Sequence, residues 1–441
     1  MQLLADLASK AGFRQAVANL GWLLAERAGR LLLGALVGLL VARHLGPERL
    51  GSLSYCVTLV TLLGFIPGLG LEAILKRDLL KAPERTAELL ASGLVLRATA
   101  GAVGAAAVVV AARLGWGVAG EERELLTVLA VLLLQPALFL PEVWLQAQLR
   151  AQWVAAGQIG ALAVASAVRL WLIATEAGLL AFAGVIVGEM LLGSVVFFAA
   201  ARRAGLQLPL VAARVATMRR LVAEAWPLMF ASLAVLVYMK IDEVMLRHLA
   251  GPAAVGVYAA AVKLSELWYF LPVAMGSSVL PALLRAQQQG AEEYARRQQQ
   301  YYDLSAALAY GVSVPMAIAA PWIVSLAYGP EFAAAGPILA VHIWASIFVF
   351  LGVARGQWLV NEGMQRFTLA ATGGGAVLNV ALNLAFIPRW SGLGAAWATV
   401  IAYGFAAWLS SYLHPAVRAT AASQTRALLI PLRAWQYFRR R

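Results

Sequence analysis

The chain has 441 residues, of which 62% are hydrophobic and 13% charged, with a mean hydropathy of +0.76 and a formal net charge of +13. Soluble domains average about 45–50% apolar and about 25% charged residues, which excludes a soluble bundle. A β-barrel would alternate over segments of about ten residues, which this chain does not do. The one cysteine, Cys56, excludes disulfide frameworks and thiolate metal sites.

In chain order, apolar runs predict about twelve spans, near 15–42, 51–75, 87–112, 125–147, 153–174, 179–200, 221–247, 254–283, 303–326, 333–359, 367–387 and 393–413. Each is long enough to cross a hydrocarbon core of about 30 Å as a helix. Pro67, Pro136, Pro141, Pro227, Pro272, Pro315 and Pro337 fall inside spans and predict kinks. Lysine and arginine gather in alternate loops, twenty-two in the termini and every second loop against six in the others. That asymmetry reads as positive-inside rather than as a nucleic-acid footprint, and it places both termini in the cytoplasm.

The resulting expectation is an all-α membrane protein, with two six-helix parallel-repeat bundles around a central cavity. Residues 1–200 would form the first bundle, 201–220 a basic cytoplasmic linker and 221–413 the second bundle. Residues 414–441 form a basic tail expected to lie along the anionic inner leaflet. The repeat is read from Arg43-His44-Leu45-Gly46-Pro47, followed by Gly51 and Tyr55. Its counterpart is Arg247-His248-Leu249-Ala250-Gly251-Pro252, followed by Gly256 and Tyr258. Both read as a helix end, a Gly-Pro turn and a new helix, at the same place in each half.

Three stretches carry a family resemblance. They are Ala42-Arg43-His44-Leu45-Gly46-Pro47 with Gly51, Gly68-Leu69-Gly70-Leu71-Glu72 with Arg77 and Asp78, and Asn383 to Pro388 followed by Gly392-Leu393-Gly394-Ala395-Ala396-Trp397-Ala398-Thr399. Together they resemble the polysaccharide transporters, or Wzx-type flippases, of the MATE-like superfamily. The resemblance implies a flippase, not an enzyme, in the bacterial inner membrane. It would move an undecaprenyl-diphosphate-linked oligosaccharide from the cytoplasmic to the periplasmic leaflet by alternating access, for O-antigen-like surface polysaccharide. Implied partners are that lipid-linked substrate, membrane lipids, a polysaccharide polymerase and a chain-length regulator, with no nucleic acid. Two alternatives belong to the same superfamily. A peptidoglycan-precursor flippase typically adds two spans, and a cation-coupled small-molecule exporter would favour a carboxylate-rich aromatic cavity. Membrane glycosyltransferases and polymerases usually need a large outer loop, and every outer loop here is short.

A diphosphate crossing a membrane needs fixed cations, and arginine donates in pairs to phosphate. Seven basic residues lie inside spans: Arg27, Arg30, Arg97, Arg169, Lys240, Lys263 and Arg355. Intramembrane charge marks pathways by default. The resemblance implies that spans one, seven and eight line the cleft, so Arg27, Arg30, Lys240 and Lys263 are the expected diphosphate ligands. Arg97 and Arg355 would serve a secondary cavity, while Arg169 and Arg355, near span ends, could also snorkel. The structural alternative is a charge-balanced network in which Glu26 pairs with Arg30, Glu243 with Lys240 and Glu266 with Lys263. Glu26, Asp242, Glu243 and Glu266 are also the candidates for coupling to a proton or sodium gradient, Glu266 first among them. No cofactor is expected, and His44, His248, His342 and His414 lack metal-ligand spacing. Asn379 and Asn383 are expected to hydrogen-bond across helices, and Glu142 and Glu224 to face cytoplasmic vestibules.

Overall fold

The computed structural model describes residues 10–433 apart from 116, 119, 208 and 209, with side chains from Gly29 onward apart from 32, 277, 281, 360 and 361. The described residues form helices and turns without strands. In chain order the helices are α1 (Lys10–Leu63), α2 (Phe65–Gly68), α3 (Leu71–Lys81), α4 (Thr86–Arg113), α5 (Glu121–Leu129), α6 (Gln135–Leu138), α7 (Leu140–Ala147), α8 (Ala151–Ala174) and α9 (Leu179–Arg203). They continue as α10 (Val215–Ala250), α11 (Pro252–Glu266), α12 (Phe270–Gln289), α13 (Ala291–Tyr328), α14 (Ala335–His342), α15 (Ala345–Asn361), α16 (Gln365–Ala407) and α17 (Arg418–Leu428).

Ten described segments are long and apolar enough to cross a membrane. Two of these, Gly29–Lys81 and Gln365–Leu413, have 53 and 49 residues, or about 80 and 74 Å of helix at 1.5 Å per residue. Each is bent, at Gly46 and at Ser391 respectively, and each holds two crossings. Counting both twice gives the expected twelve. The outer surface is correspondingly apolar: Trp171 is 63% exposed, Val195 63%, Ile318 78% and Val377 71%, as side chains facing lipid should be.

The bends follow from local chemistry. Gly46 sits at φ 69, ψ 173 before Pro47, and Gly251 at φ 87, ψ 174 before Pro252. Positive φ is readily reached only by glycine, while proline at the first helical position gives up no needed N–H and fixes φ for the next helix. The two turns read as a repeat thus share one backbone conformation.

The chain divides into two compact units, one of residues 1–45 and 52–233, the other of 46–51 and 234–441. The division falls inside α10 rather than at the basic stretch 201–220. In the first unit, Leu71, Leu75, Leu89, Leu140 and Phe197 pack with Leu221 and Ala225 from the start of α10. Charge secures the same contact, since Arg77 donates to Glu224 at 2.5 Å and Arg220 pairs with Asp78 at 2.9 Å.

In the second unit, Tyr302, Phe350, Leu351 and Ala354 form the core together with Ala427 of α17. The tail expected on the leaflet is therefore docked over 418–428. Gln424 is fully buried and donates to the Leu351 and Ala407 carbonyls at 3.3 and 3.0 Å, and Tyr310 donates to the Leu428 carbonyl at 3.0 Å. Gln424 satisfies the Ala407 carbonyl left open at the end of α16, and Tyr310 the Leu428 carbonyl at the end of α17, which explains why a segment of low hydropathy is buried. Residues 434–441, including Trp435, Tyr437 and Phe438, lie outside the described residues.

Candidate functional site

Among the described residues, each unit has a polar cluster within its apolar interior. In the first unit, α1, α6, α8, α9 and the turns flanking α6 line a 210 Å³ pocket whose residues include Arg30, Gln135, Phe139, Gln158 and Glu189. The Arg30 guanidinium donates to the Gln158 side-chain oxygen. Gln158 and Gln146 in turn donate to Glu142 at 2.9 and 2.8 Å. Glu142, expected in a vestibule, thus joins this cluster. Glu189 accepts from Arg169 at 2.7 Å, the two side chains being 23% and 16% exposed. Arg169 therefore meets a carboxylate on the neighbouring helix rather than snorkelling alone.

Phe139 and Phe197 meet edge to face at 5.2 Å and form the apolar side of the pocket. Gly157 and Gly193 let α8, α9 and Phe139 close around it: a Cβ on Gly157 would lie 2.9 Å from the Phe197 ring, and one on Gly193 3.5 Å from Phe139. The side chains of Glu26 and Arg27 lie outside the described residues, so the expected Glu26–Arg30 pair falls outside them too.

In the second unit, Asp242 on α10 is 2% exposed and accepts three neutral donors. They are Tyr258 Oη at 2.7 Å, Thr399 Oγ1 at 2.6 Å and Asn383 Nδ2 at 2.5 Å. Asn383 also donates to Asn379 Oδ1 at 3.0 Å, and its own Oδ1 has no hydrogen-bond partner. Asn383 hydrogen-bonds across helices, as expected, with a carboxylate as its partner, whereas Asn379 bonds Asn383 within α16. Carboxylate, amide and hydroxyl oxygens on α10 and the two arms of α16 thus converge in a buried place. Such a donor set suits a proton or a hard cation such as sodium, and not a soft metal. Among the described residues no three His, Cys, Asp or Glu side chains group as metal ligands.

Lys240 pairs with Glu243 at 3.8 Å and with Glu266 at 3.5 Å. Lys263 occupies an exposed position on α11. Glu266 is 27% exposed beside Lys240, whereas Asp242 is 2% exposed. His342 is buried against Ser265 at 3.0 Å.

Arg97 and Arg355 are buried on backbone. Arg97 donates to the Pro136 carbonyl at 3.0 Å, beside the short helices α6 and α7, which carry Pro136 and Pro141 in their first turns. Arg355 donates to Ser410, to Ser411 at 2.7 Å and to the Ala406 carbonyl at 2.7 Å, with Phe367 beneath it at 5.6 Å. Both satisfy carbonyls where a helix is interrupted.

Sequence reasoning missed Gln135, Gln158, Glu189, Tyr258 and Thr399 as cluster members. Thr399 stands within the Gly392–Thr399 motif and Tyr258 within the repeated Gly-Pro turn; for the other three no sequence signal separates them from ordinary polar positions.

The sequence profile of the polysaccharide biosynthesis proteins matches residues 16–287, and the MatE profile matches 227–385. Among solved structures, the chain is similar to the lipid II flippase MurJ in its inward closed conformation, at a TM-score of 0.73 and 12% identity over 96% of this chain and 93% of that one. It is also similar to an inward-facing multidrug resistance MATE family transporter of the MOP superfamily, at 0.66 and 17% over 90% and 96%. A MOP superfamily transporter from Pyrococcus furiosus, described by the reverse polarity of its binding pocket, aligns at 0.53 and 13% over 95% and 94%. At such identities the likeness is one of fold. No curated protein sequence matches this chain.

Proposed function

Because the chain belongs to the polysaccharide biosynthesis protein family and has the fold of the MOP superfamily transporters, we propose that it flips an undecaprenyl-diphosphate-linked oligosaccharide across the bacterial inner membrane. The sugar chain would move from the cytoplasmic to the periplasmic leaflet, to be taken up there by a polymerase and its chain-length regulator. Arg30 carries this reading: an arginine on an apolar span opening into a pocket that also offers two glutamines. An intramembrane cation is expensive unless it serves a polar cargo or a partner, and the glutamines can bond phosphate oxygens or hydroxyls alike. Lys240 and Lys263 remain the second-unit candidates for the diphosphate, and Arg27 the first-unit neighbour of Arg30.

Asp242 is the group best placed to couple flipping to an ion gradient. A buried carboxylate with only neutral hydrogen-bond partners is stabilised by a bound cation or by a proton, and either can be exchanged when the surroundings open. The orphan Asn383 oxygen beside it supplies a further ligand for sodium.

Proteoliposomes containing the purified protein test the proposal directly. Fluorescent undecaprenyl-diphosphate-linked oligosaccharide should be flipped, faster than lipid II and without export of cationic dyes. Preference for lipid II would favour the peptidoglycan-precursor alternative, and export of dyes alone the exporter.

A further inference from the structure

The polar pocket around Arg30 does not end at Glu189. A second cavity, of 390 Å³, lies between α8 and α9, and Ala161 and Glu189 line both. Beyond these two residues its walls are apolar: Val164, Val168 and Leu172 on α8, Val185 and Leu192 on α9. Val164 is 53% and Val168 37% exposed, so the groove opens toward the hydrocarbon. Its floor contains Gly184 and Gly188, and a Cβ built on either would meet no atom within 4 Å. They lie one turn apart on one face of α9, so the absence of two side chains, rather than tight helix packing, keeps the groove open.

We propose that this groove seats the isoprenoid chain of a polyprenyl-diphosphate-linked saccharide while the head of the same molecule occupies the Arg30 pocket; the inference rests on the flippase reading above. Continuity of an apolar channel with a pocket of hydrogen-bonding groups matches an amphiphile held at its junction. At about 30 Å³ per water, the pocket has room for about seven waters, enough for one phosphate or one sugar ring but not a whole oligosaccharide. Depth selects among amphiphiles. Gln158 is seven residues, about 10 Å, into α8, and Glu189 ten residues, about 15 Å, into α9. A resident phospholipid keeps its headgroup at the interface, outside the hydrocarbon core. A lipid with its head this deep is one in transit.

The experiment uses the full chain in phosphatidylcholine nanodiscs, with an undecaprenyl diphosphate carrying a photoreactive group on its isoprenoid chain. After irradiation, adducts are mapped by mass spectrometry, and binding of the same lipid is measured separately by radiolabel. Adducts are expected on α8 and α9 between 161 and 192, and should fall about tenfold in Gly184→Leu/Gly188→Leu, which places side chains in the groove from two positions where a Cβ meets no atom within 4 Å. An unchanged thermal midpoint shows that this variant is folded; the single Gly188→Leu replaces it if the midpoint falls. Lipid that binds but labels other helices, or labels the filled variant equally, overturns the groove and leaves the flippase reading standing. Absence of binding overturns both. Equal labelling by a photoreactive phosphatidylglycerol overturns the assignment to a polyprenyl chain.

Discussion

Gly51 and Gly256 meet where two helix starts cross, each against the backbone of the other's turn. A Cβ on Gly51 would lie 1.8 Å from the Pro252 carbonyl oxygen, and one on Gly256 would lie 1.9 Å from that of Pro47. Both glycines follow a Gly-Pro turn of the same backbone conformation, at Gly46 and Gly251. The reciprocity is what a repeated turn produces when its two copies pack on each other.

Replacing either glycine by alanine should therefore be costly, because a backbone carbonyl cannot swing aside as a side chain can. Gly51→Ala or Gly256→Ala is expected to destabilise the protein by at least about 1–3 kcal/mol. Gly34→Ala, where a Cβ meets nothing within 4 Å, should be neutral or slightly stabilising. Thermal unfolding of the detergent-solubilised variants checks this; equal midpoints for Gly34→Ala and Gly51→Ala would contradict it.

Asp242 and Glu266 separate by their response to a gradient. Asp242→Asn keeps the size of the side chain and removes the charge, so acceleration of flipping by an imposed proton or sodium gradient should disappear while gradient-free flipping persists. Glu266→Gln should keep the acceleration. A gradient response preserved in Asp242→Asn would remove this residue from the coupling role.

Arg355 should behave as a structural residue. Arg355→Ala removes the donor to Ser410 and Ser411 and leaves the Ala406 carbonyl with Ser410 alone, at a cost of about 1.5–3 kcal/mol. The expected result is a lower thermal midpoint with flipping per folded molecule retained. A normal midpoint with lost flipping would instead place Arg355 on the substrate path.

Membrane orientation has its own test. Reporter fusions at Gly120 and Gly251 should report periplasm and one at Ala212 cytoplasm, following the distribution of basic residues in the loops. Reversed signals would invert the assignment of leaflets.

The spans and the Gly-Pro turns were legible in the sequence because they depend on neighbours: apolar run length, positive φ and the missing N–H of proline act within a few residues. The clusters were not. Asn383 and Thr399 reach Asp242 from 141 and 157 residues away, and Gln158 reaches Arg30 from 128. In a membrane bundle, charge counts along one helix identify the ionisable groups but not their burial. That is why the sequence puts Glu266 first among the candidate acids, while the deeper burial of Asp242 shows only in the packing. The docked tail escaped for a related reason: Gln424 is hydrophilic in composition, and only packing against α15 and the open end of α16 gives its amide buried partners.

The central claim is that a polar lipid head passes through the pocket opened by Arg30. Flipping of undecaprenyl-diphosphate-linked oligosaccharide by Arg30→Ala, measured in proteoliposomes at matched amounts of folded protein, tests it most directly. Flipping is expected to be abolished, and only partly restored in Arg30→Lys, since an ammonium cannot make the paired donation of a guanidinium. Wild-type flipping by Arg30→Ala would contradict the account.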